Sequence, residues 1–185
     1  TGEGGVLVTA DRTLAQRARA LRNHGLDPDA AVPDFILAGY NLRLTEMQGA
    51  LGVAQLKKFE RLLAHRRIAA DWYAEALTGL GVTLPKALAP GAHAFQAYVV
   101  LLPRNAPRDQ VILKLRHAGV EATIGTHHQP LTSYFRARGG HRPGDFPVTD
   151  DVAARALALP LHSAVSRPDI DRIAAALRTA LREAS

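Results

Sequence analysis

The chain of 185 residues contains no cysteine. This absence excludes disulfide bonds, a catalytic thiol and zinc sites built on cysteine. No apolar run approaches the ~20 residues that a transmembrane helix needs. The sequence also lacks a signal-peptide pattern at its start. We therefore expect a cytoplasmic protein with no membrane partner.

Lysine is scarce, because only four of the 23 basic residues are lysine and the other 19 are arginine. With 17 acidic residues the formal net charge is +6, a balance that suits either anionic small molecules or nucleic acid. The arginines are spread over several predicted helices and are not gathered among aromatic residues. We expect solvated helix faces for most of them and no nucleic-acid partner.

The length allows one domain or a domain and a half, and 47% hydrophobic residues can supply a core. The glycine-rich start, Thr1–Gly5, leads into a predicted short strand, Val6–Val8. Asp11 then has the position of an N-cap for a helix that continues to about His24, where Gly25 favours termination. A loop with two prolines follows.

Helical spacing continues from Thr45 to about Thr78 without a proline. Thr45 and Gln48 have the spacing of a capping box. One apolar stripe follows at positions i, i+3, i+4 and i+7: Met47, Ala50, Leu51 and Ala54. The pattern predicts one long helix, or two in tandem that join near His65–Arg67.

Strands and helices alternate after Gly81, which predicts a compact α/β unit. The predicted strands are Val82–Leu84, Phe95–Leu102 and Val120–Ile124. The predicted helices begin at Pro107, at an N-cap Thr149 and at an N-cap Ser166 paired with Asp169, and the helix at Thr149 includes Ala156 and Leu157.

The stretch Gly39–Gly52 combines three groups that can bind an anion. Asn41 offers amide donors, Arg43 offers a permanently charged guanidinium, and the helix that begins after Thr45 offers unpaired N–H groups. On these residues alone two interpretations remain open. The stretch either binds a phosphate, or Arg43 pairs with a local carboxylate while Asn41 caps a turn.

The same stretch, GYNLRLTEMQGALG, resembles a motif of the DegT/DnrJ/StrS family of pyridoxal-phosphate (PLP) enzymes. That motif runs close to G-Y-N-(Y/F/L)-R-(M/L)-T-(E/D)-x-Q-A-A-(L/I)-G, and only Gly49 departs from it. The resemblance implies that Asn41 reaches across a dimer to the PLP phosphate of the neighbouring active site. It also implies that Arg43 lies beside that phosphate.

PLP chemistry requires a lysine that forms a Schiff base with the cofactor. The four lysines lie in helix or linker contexts with no neighbouring motif: Lys57, Lys58, Lys86 and Lys114. The resemblance implies that the Schiff-base lysine precedes Thr1 by a few residues. We therefore expect no catalytic residue within this chain.

A second polar stretch, Gly125–Leu131, contains the adjacent histidines His127 and His128. In an extended chain their rings point to opposite sides, and no third ligand is evident, so we expect no metal site. A structural polar loop and a substrate contact remain equally open from the residues alone. The family resemblance implies a small-domain loop that closes over the sugar, with His127 and His128 as substrate-binding residues.

The resemblance extends over the whole chain and implies an α/β fold, the C-terminal part of the fold-type I PLP-dependent transferase fold. Residues 1–81 would then be the end of the large PLP-binding domain with the long linking helices, and residues 82–185 the small C-terminal α/β domain.

The implied function is that of the C-terminal half of an aminotransferase, inactive alone, in nucleotide-sugar and polysaccharide biosynthesis. The intact enzyme would be a homodimer with shared active sites that moves an amino group from glutamate or glutamine to a keto-sugar nucleotide. Three alternatives stay open: a PLP-dependent sugar dehydratase of the same fold, a non-catalytic interaction or regulatory domain, and a basic nucleic-acid binder.

Overall fold

A computed structural model describes residues 1–86 and 93–183, and the chain divides into two compact units, Thr1–Phe59 and Glu60–Ser185. The helices and strands in chain order are α1 (Arg12–Arg22), α2 (Glu46–Leu56), α3 (Phe59–Ala76), β1 (Tyr98–Leu101), α4 (Arg108–His117), β2 (Thr123–Ile124), α5 (Ser133–Gly139), α6 (Pro147–Arg155), β3 (Ala156–Leu159) and α7 (Arg167–Arg182). A short 3₁₀ turn, Gln129–Leu131, precedes α5.

The first unit begins its regular structure at α1, whose N-terminus is capped as predicted. The carboxylate of Asp11 accepts hydrogen bonds from the backbone N–H groups of Thr13 and Leu14, at 2.8 and 3.2 Å. These bonds satisfy two of the four donors that a helix start leaves without an intrahelical partner.

The second helix, α2, also begins at its predicted capping box. The Gln48 N–H donates to the Thr45 hydroxyl at 3.3 Å, and the Thr45 N–H donates to the Gln48 side chain at 2.9 Å. No residue of α2 is buried. The predicted apolar stripe is therefore exposed in this chain, with Met47 at 78% and Leu51 at 52% of their accessible surface.

The second unit is built on a three-stranded antiparallel sheet in the order β1-β3-β2. Tyr98 lies opposite Leu159 and Leu101 opposite Ala156, while Thr123 of β2 lies opposite Ala158. The central strand β3 corrects the prediction that Ala156 and Leu157 continue a helix. Both are fully buried between the two neighbouring strands, because the sheet supplies backbone partners that override their helical propensity.

Helices α3, α4 and α7 supply most of the core around this sheet. The core residues on α3 are Ala69, Ala70 and Tyr73. Because α3 contributes to the core around this sheet, the two compact units divide between residues 59 and 60. The expected domain boundary was at residue 81. A boundary at 81 between the domains of a longer chain stays a prediction.

The start of α7 follows the predicted capping box. The Asp169 N–H donates to the Ser166 hydroxyl, and the Asp169 carboxylate accepts from the hydroxyl and the N–H of Ser166 at 2.6 and 3.1 Å. These bonds to Ser166 favour the ionised carboxylate and hold the pKa of Asp169 below its usual value.

Several predicted boundaries were wrong. Residues 6–8 form no strand within the described part of the chain, and Val6 and Val8 are largely exposed. The two tandem helices separate at residues 57–58 and not near His65–Arg67. The helix predicted at Thr149 begins at Pro147, since the fixed φ of proline suits the first helical position.

The remaining strands are shorter than predicted. Thr83 forms only an isolated bridge with Leu101, β1 begins at Tyr98, and β2 has two residues. The predicted connection after Pro85 lies partly outside the described residues. None of the helices in residues 1–86 and 93–183 is both long enough and apolar enough to cross a membrane.

A buried tyrosine pair joins α3 to the sheet. The rings of Tyr73 and Tyr98 stack at 4.5 Å, and the Tyr73 hydroxyl donates to the Pro160 carbonyl at 2.7 Å. Burial disfavours a phenolate. It raises the pKa of Tyr98 to about 12 and the pKa of Tyr73 well above its usual value.

We expect the free energy of unfolding to fall as the pH rises above ~10, because an unfolded tyrosine loses its proton near that pH. The fall should continue towards a pH of about 12, which is the pKa of Tyr98 in the folded state. Above the lower value the unfolded state binds fewer protons than the folded state, so alkali favours unfolding. Urea denaturation monitored by the fluorescence of Trp72, the single tryptophan, measures this slope. The Tyr98→Phe variant should show a shallower slope, and an equal slope would contradict the explanation.

Candidate functional site

The Gly39 stretch is held against the end of α1 by backbone hydrogen bonds. The N–H groups of Tyr40 and Leu42 donate to the carbonyls of Leu21 and Arg22, at 2.7 and 2.9 Å. The His24 N–H donates to the Tyr40 carbonyl at 2.8 Å. This ladder is extended up to residue 42, so successive side chains there point to opposite faces.

Two glycines make this arrangement possible. A Cβ atom on Gly39 would lie 2.1 Å from the backbone nitrogen of Gly25, and a Cβ atom on Gly25 would lie 1.7 Å from the carbonyl oxygen of Leu37. Gly25 also has a φ of +88°, which L side chains rarely adopt. The closure of the loop between residues 25 and 39 thus requires glycine on both sides.

Asn23 contacts both of the predicted anion-binding residues. It forms an antiparallel bridge with Asn41 through the backbone, and its side-chain oxygen accepts a hydrogen bond from Nη1 of Arg43 at 2.5 Å. Asn23 is half-buried, whereas Asn41 and Arg43 are exposed. The guanidinium is therefore oriented by a neutral acceptor and keeps its full charge and its other donors.

The start of α2 adds backbone donors to the same stretch. Its capping box uses the N–H of Gln48. Within the described residues, the N–H groups of Glu46 and Met47 have no intrahelical partner, as expected of the first helical turn. An amide, a guanidinium and the first helix N–H groups are donors of the kinds that bind a phosphate group, although the carboxylate of Glu46 opposes an anion there.

The two predicted substrate-contacting histidines lie in the second unit, on the loop that follows β2. Gly125 anchors this loop, since its N–H donates to the Ala156 carbonyl at 2.8 Å and a Cβ atom there would lie 2.5 Å from Val99. His127 is exposed and His128 is half-buried. The two histidines therefore differ in exposure, and the opposite directions of their rings stay a prediction.

His128 is bound to α6. Its Nε2 atom lies 2.7 Å from Oδ1 of Asp150, and the other carboxylate oxygen of Asp150 accepts from the Gly144 N–H at 2.9 Å. The Nδ1 atom of His128 is buried and has no hydrogen-bond partner among the described residues. Both ring nitrogens are thus turned away from solvent, while the ring of His127 is free to meet a ligand.

The lysines of the described residues offer no candidate for an imine-forming group. Lys57, Lys58 and Lys86 are exposed, and Lys114 pairs with Glu183 at 3.2 Å. A nucleophilic lysine needs a desolvated or cationic environment that favours its neutral form. None of the four has a buried environment of that kind.

Two positioning residues, Asn23 and Asp150, were missed by the sequence analysis. Asn23 lies 20 residues before Arg43, and Asp150 lies 22 residues after His128. Neither spacing has a local pattern that predicts contact. A polar residue at the end of α1 beside Gly25 was the one available signal for Asn23.

A comparison with protein families gives a match over nearly the whole chain. The model of the DegT/DnrJ/EryC1/StrS aminotransferase family matches residues 1–178. GDP-perosamine synthase of Caulobacter vibrioides is 35% identical over 181 residues, which are 96% of this chain and 48% of that protein. The chain spans about half the length of the curated relatives it matches.

Solved structures show the same fold. The chain resembles the Helicobacter pylori aminotransferase PseC, which is involved in the biosynthesis of pseudoaminic acid, with a TM-score of 0.84 at 22% identity over 95% of this chain and 48% of the other. A DegT DnrJ EryC1 StrS aminotransferase from Brucella abortus gives a TM-score of 0.78 at 27% identity, over 92% of this chain and 44% of the other. The predicted fold class, part of the fold-type I α/β fold, is confirmed.

A matched pair of substitutions tests the contact between Gly39 and Gly25. Gly39→Ala should displace residues 39–42 from the end of α1, because its new Cβ atom would overlap the backbone of Gly25. Gly49→Ala, in the middle of α2 with no atom within 4 Å of the added Cβ, should stabilise the helix by ~1 kcal/mol.

Amide hydrogen exchange at Tyr40 and Leu42 measures the displacement in Gly39→Ala. Urea denaturation followed by circular dichroism measures the stabilisation in Gly49→Ala. Faster exchange in Gly39→Ala alone is the expected result. Unchanged protection at both amides in that variant would show that the two backbones do not touch.

Proposed function

This chain belongs to the DegT/DnrJ/EryC1/StrS aminotransferase family, and on that premise we propose that it is the C-terminal half of a PLP-dependent sugar aminotransferase. The intact enzyme would move an amino group from glutamate or glutamine to a keto-sugar nucleotide. Among its relatives are a GDP-perosamine synthase and an aminotransferase of pseudoaminic acid biosynthesis, which supports a nucleotide-sugar substrate.

The observation that carries the proposal is that Asn41 and Arg43 are both exposed on one segment that hydrogen bonds hold to the end of α1. Asn23 and the ladder to α1 hold that segment before any ligand binds, so little ordering cost remains for binding an anion. A phosphate monoester could accept from the Asn41 amide, the Arg43 guanidinium and the first N–H groups of α2. We assign these groups to the phosphate of PLP, as the family resemblance implies.

PLP, when bound, supplies the electron sink for amino-group transfer. The residues of this chain do not form a covalent bond to it, since no lysine here has a suitable environment. Their contribution is to bind and orient. Arg43 and Asn41 would fix the phosphate end of the cofactor, which sets the position of its reactive end relative to the substrate.

We assign His127 to direct contact with the substrate, because its ring is exposed on a loop that Gly125 anchors to the sheet. His128 belongs to the same substrate loop. Its ring nitrogens are turned inward, so its contribution to substrate binding would be made through the conformation of the loop.

The exposed apolar face of α2 supports a homodimer with shared active sites. A helix of eleven residues with none buried exposes apolar side chains that a soluble protein normally covers. In a dimer, Asn41 and Arg43 at the start of this helix would serve the neighbouring protomer's cofactor. The dimer is a proposal that rests on this exposed face and on the family resemblance.

The phosphate assignment can be tested in a chimera that joins this chain to the half of Caulobacter vibrioides GDP-perosamine synthase that it does not match. Asn41→Ala and Arg43→Ala should each weaken PLP affinity about ten-fold or more, because a charge-assisted hydrogen bond contributes ~1.5–3 kcal/mol. Equilibrium dialysis with the visible absorbance of bound PLP measures the affinity.

The matched control is Arg17→Ala, which removes an exposed arginine from α1 outside the Gly39 stretch and should leave PLP affinity unchanged. Wild-type affinity in both Asn41→Ala and Arg43→Ala would remove the phosphate assignment. A folded chimera that retains no PLP at all would contradict the proposed function itself.

The isolated 185-residue chain should be catalytically silent. After incubation with PLP and reduction with borohydride, mass spectrometry of its peptides should show no lysine modified selectively over the others. Stoichiometric labelling of one lysine among Lys57, Lys58, Lys86 and Lys114 would contradict the proposal, because this chain would then contain its own cofactor-binding lysine.

A further inference from the structure

Asp150 lies in the first turn of α6 and uses both carboxylate oxygens within the second unit. Oδ1 lies 2.7 Å from Nε2 of His128, and Oδ2 accepts from the Gly144 N–H at 2.9 Å. The side chains of His128 and Asp150 are only 15% and 31% exposed. The contact is therefore a partly buried bridge between three segments and differs from the solvated ion pairs that contribute little.

The arginines that pair with a carboxylate of α6 in the described residues contact Asp151 and not Asp150. Arg155 and Arg104 both pair with Asp151, at 2.7 and 3.1 Å. Among the described residues, the charged or titratable group within ion-pair distance of Asp150 is therefore His128.

This geometry determines the protonation pattern of the imidazole. An ionised carboxylate can only accept hydrogen bonds, so Nε2 of His128 must be the donor. In a neutral ring the proton is then absent from Nδ1. That pattern suits the buried Nδ1 atom, which has no partner among the described residues, because an N–H group there would be buried without an acceptor.

We propose that Asp150 is a positioning residue that fixes the Nε2–H tautomer and the ring orientation of His128. It thereby ties the loop of residues 125–132 to the start of α6 and to the turn at Gly144, with His127 directed outward. The consequence for sugar binding rests on the proposed function, whereas the tautomer and the tie between the three segments do not.

The first test is nitrogen NMR of the imidazole groups in the uniformly labelled 185-residue chain, at a pH where the rings are neutral. We expect His128 to show a protonated Nε2 and a bare Nδ1, in a single fixed tautomer. Exposed His127 serves as the internal reference and should show the averaged spectrum of exchanging tautomers. A His128 signal that carries its proton on Nδ1, or that averages like His127, would overturn the proposal.

The second test compares Asp150→Asn with Asp145→Asn. An asparagine at 150 has one acceptor oxygen and one amide donor group, so it cannot accept from both His128 and Gly144. We expect either a switch of the His128 tautomer or an amide exchange rate at Gly144 at least ten-fold faster. Asp145→Asn makes the same charge change nearby without contact to His128, and its amide oxygen can still accept from the Arg142 N–H, so the His128 tautomer should stay as in the wild type.

If the His128 tautomer and the exchange rate of the Gly144 amide are both unchanged in Asp150→Asn, Asp150 positions neither His128 nor the turn at Gly144. If Asp150→Asn does not fold, the wild-type nitrogen spectrum and the His128→Gln variant decide the question. In His128→Gln the carboxylate keeps its bond to Gly144, so the Gly144 amide should stay protected. Faster exchange at Gly144 in that variant would contradict the proposal that Asp150 holds the turn at Gly144.

A third measurement separates this inference from the proposed function. In the PLP-loaded chimera, Asp150→Asn should raise KM for the sugar substrate several-fold with kcat nearly unchanged, and Asp145→Asn should leave both at wild-type values. If wild-type His128 has a fixed tautomer but Asp150→Asn keeps the wild-type KM, only the link to sugar binding is overturned. A chimera without aminotransferase activity would contradict the proposed function and leave the NMR result standing.

Discussion

The candidate phosphate site depends on one close approach between two backbones. A Cβ atom on Gly39 would overlap the backbone of Gly25, and a Cβ atom on Gly25 would overlap the carbonyl of Leu37. This close packing brings residues 40–42 alongside the end of α1. The side chain of Asn23 can then accept from Arg43. Because the ladder and this bond exist before a ligand arrives, the segment and the guanidinium of Arg43 need little further ordering to bind an anion.

The two units share a way of holding their functional loops. In each, a polar side chain distant in sequence binds the functional residue: Asn23 binds Arg43, and Asp150 binds His128. In each, a glycine beside the loop permits close packing, Gly39 in the first unit and Gly125 in the second. A binding side chain on a loop needs such a supporting contact, because the loop backbone alone does not fix its conformation.

Local chemistry predicted the helix starts well, because a capping box involves residues only three positions apart. Thr45 and Ser166 cap their helices as expected. Ala156 and Leu157 were predicted wrongly as helix, since alanine and leucine favour helices and only the two flanking strands make this segment a strand. For the same reason Asn23 and Asp150 were missed, because their partners lie 20 and 22 residues away.

The most direct test of this account is a crystal structure of the PLP-loaded chimera as an assembled dimer. We expect the Asn41 amide and the Arg43 guanidinium within hydrogen-bonding distance of the cofactor phosphate held by the partner subunit, with Asn23 still bound to Arg43. A structure that places Asn41 and Arg43 far from any subunit boundary, or enclosed by apolar side chains, would contradict the central claim.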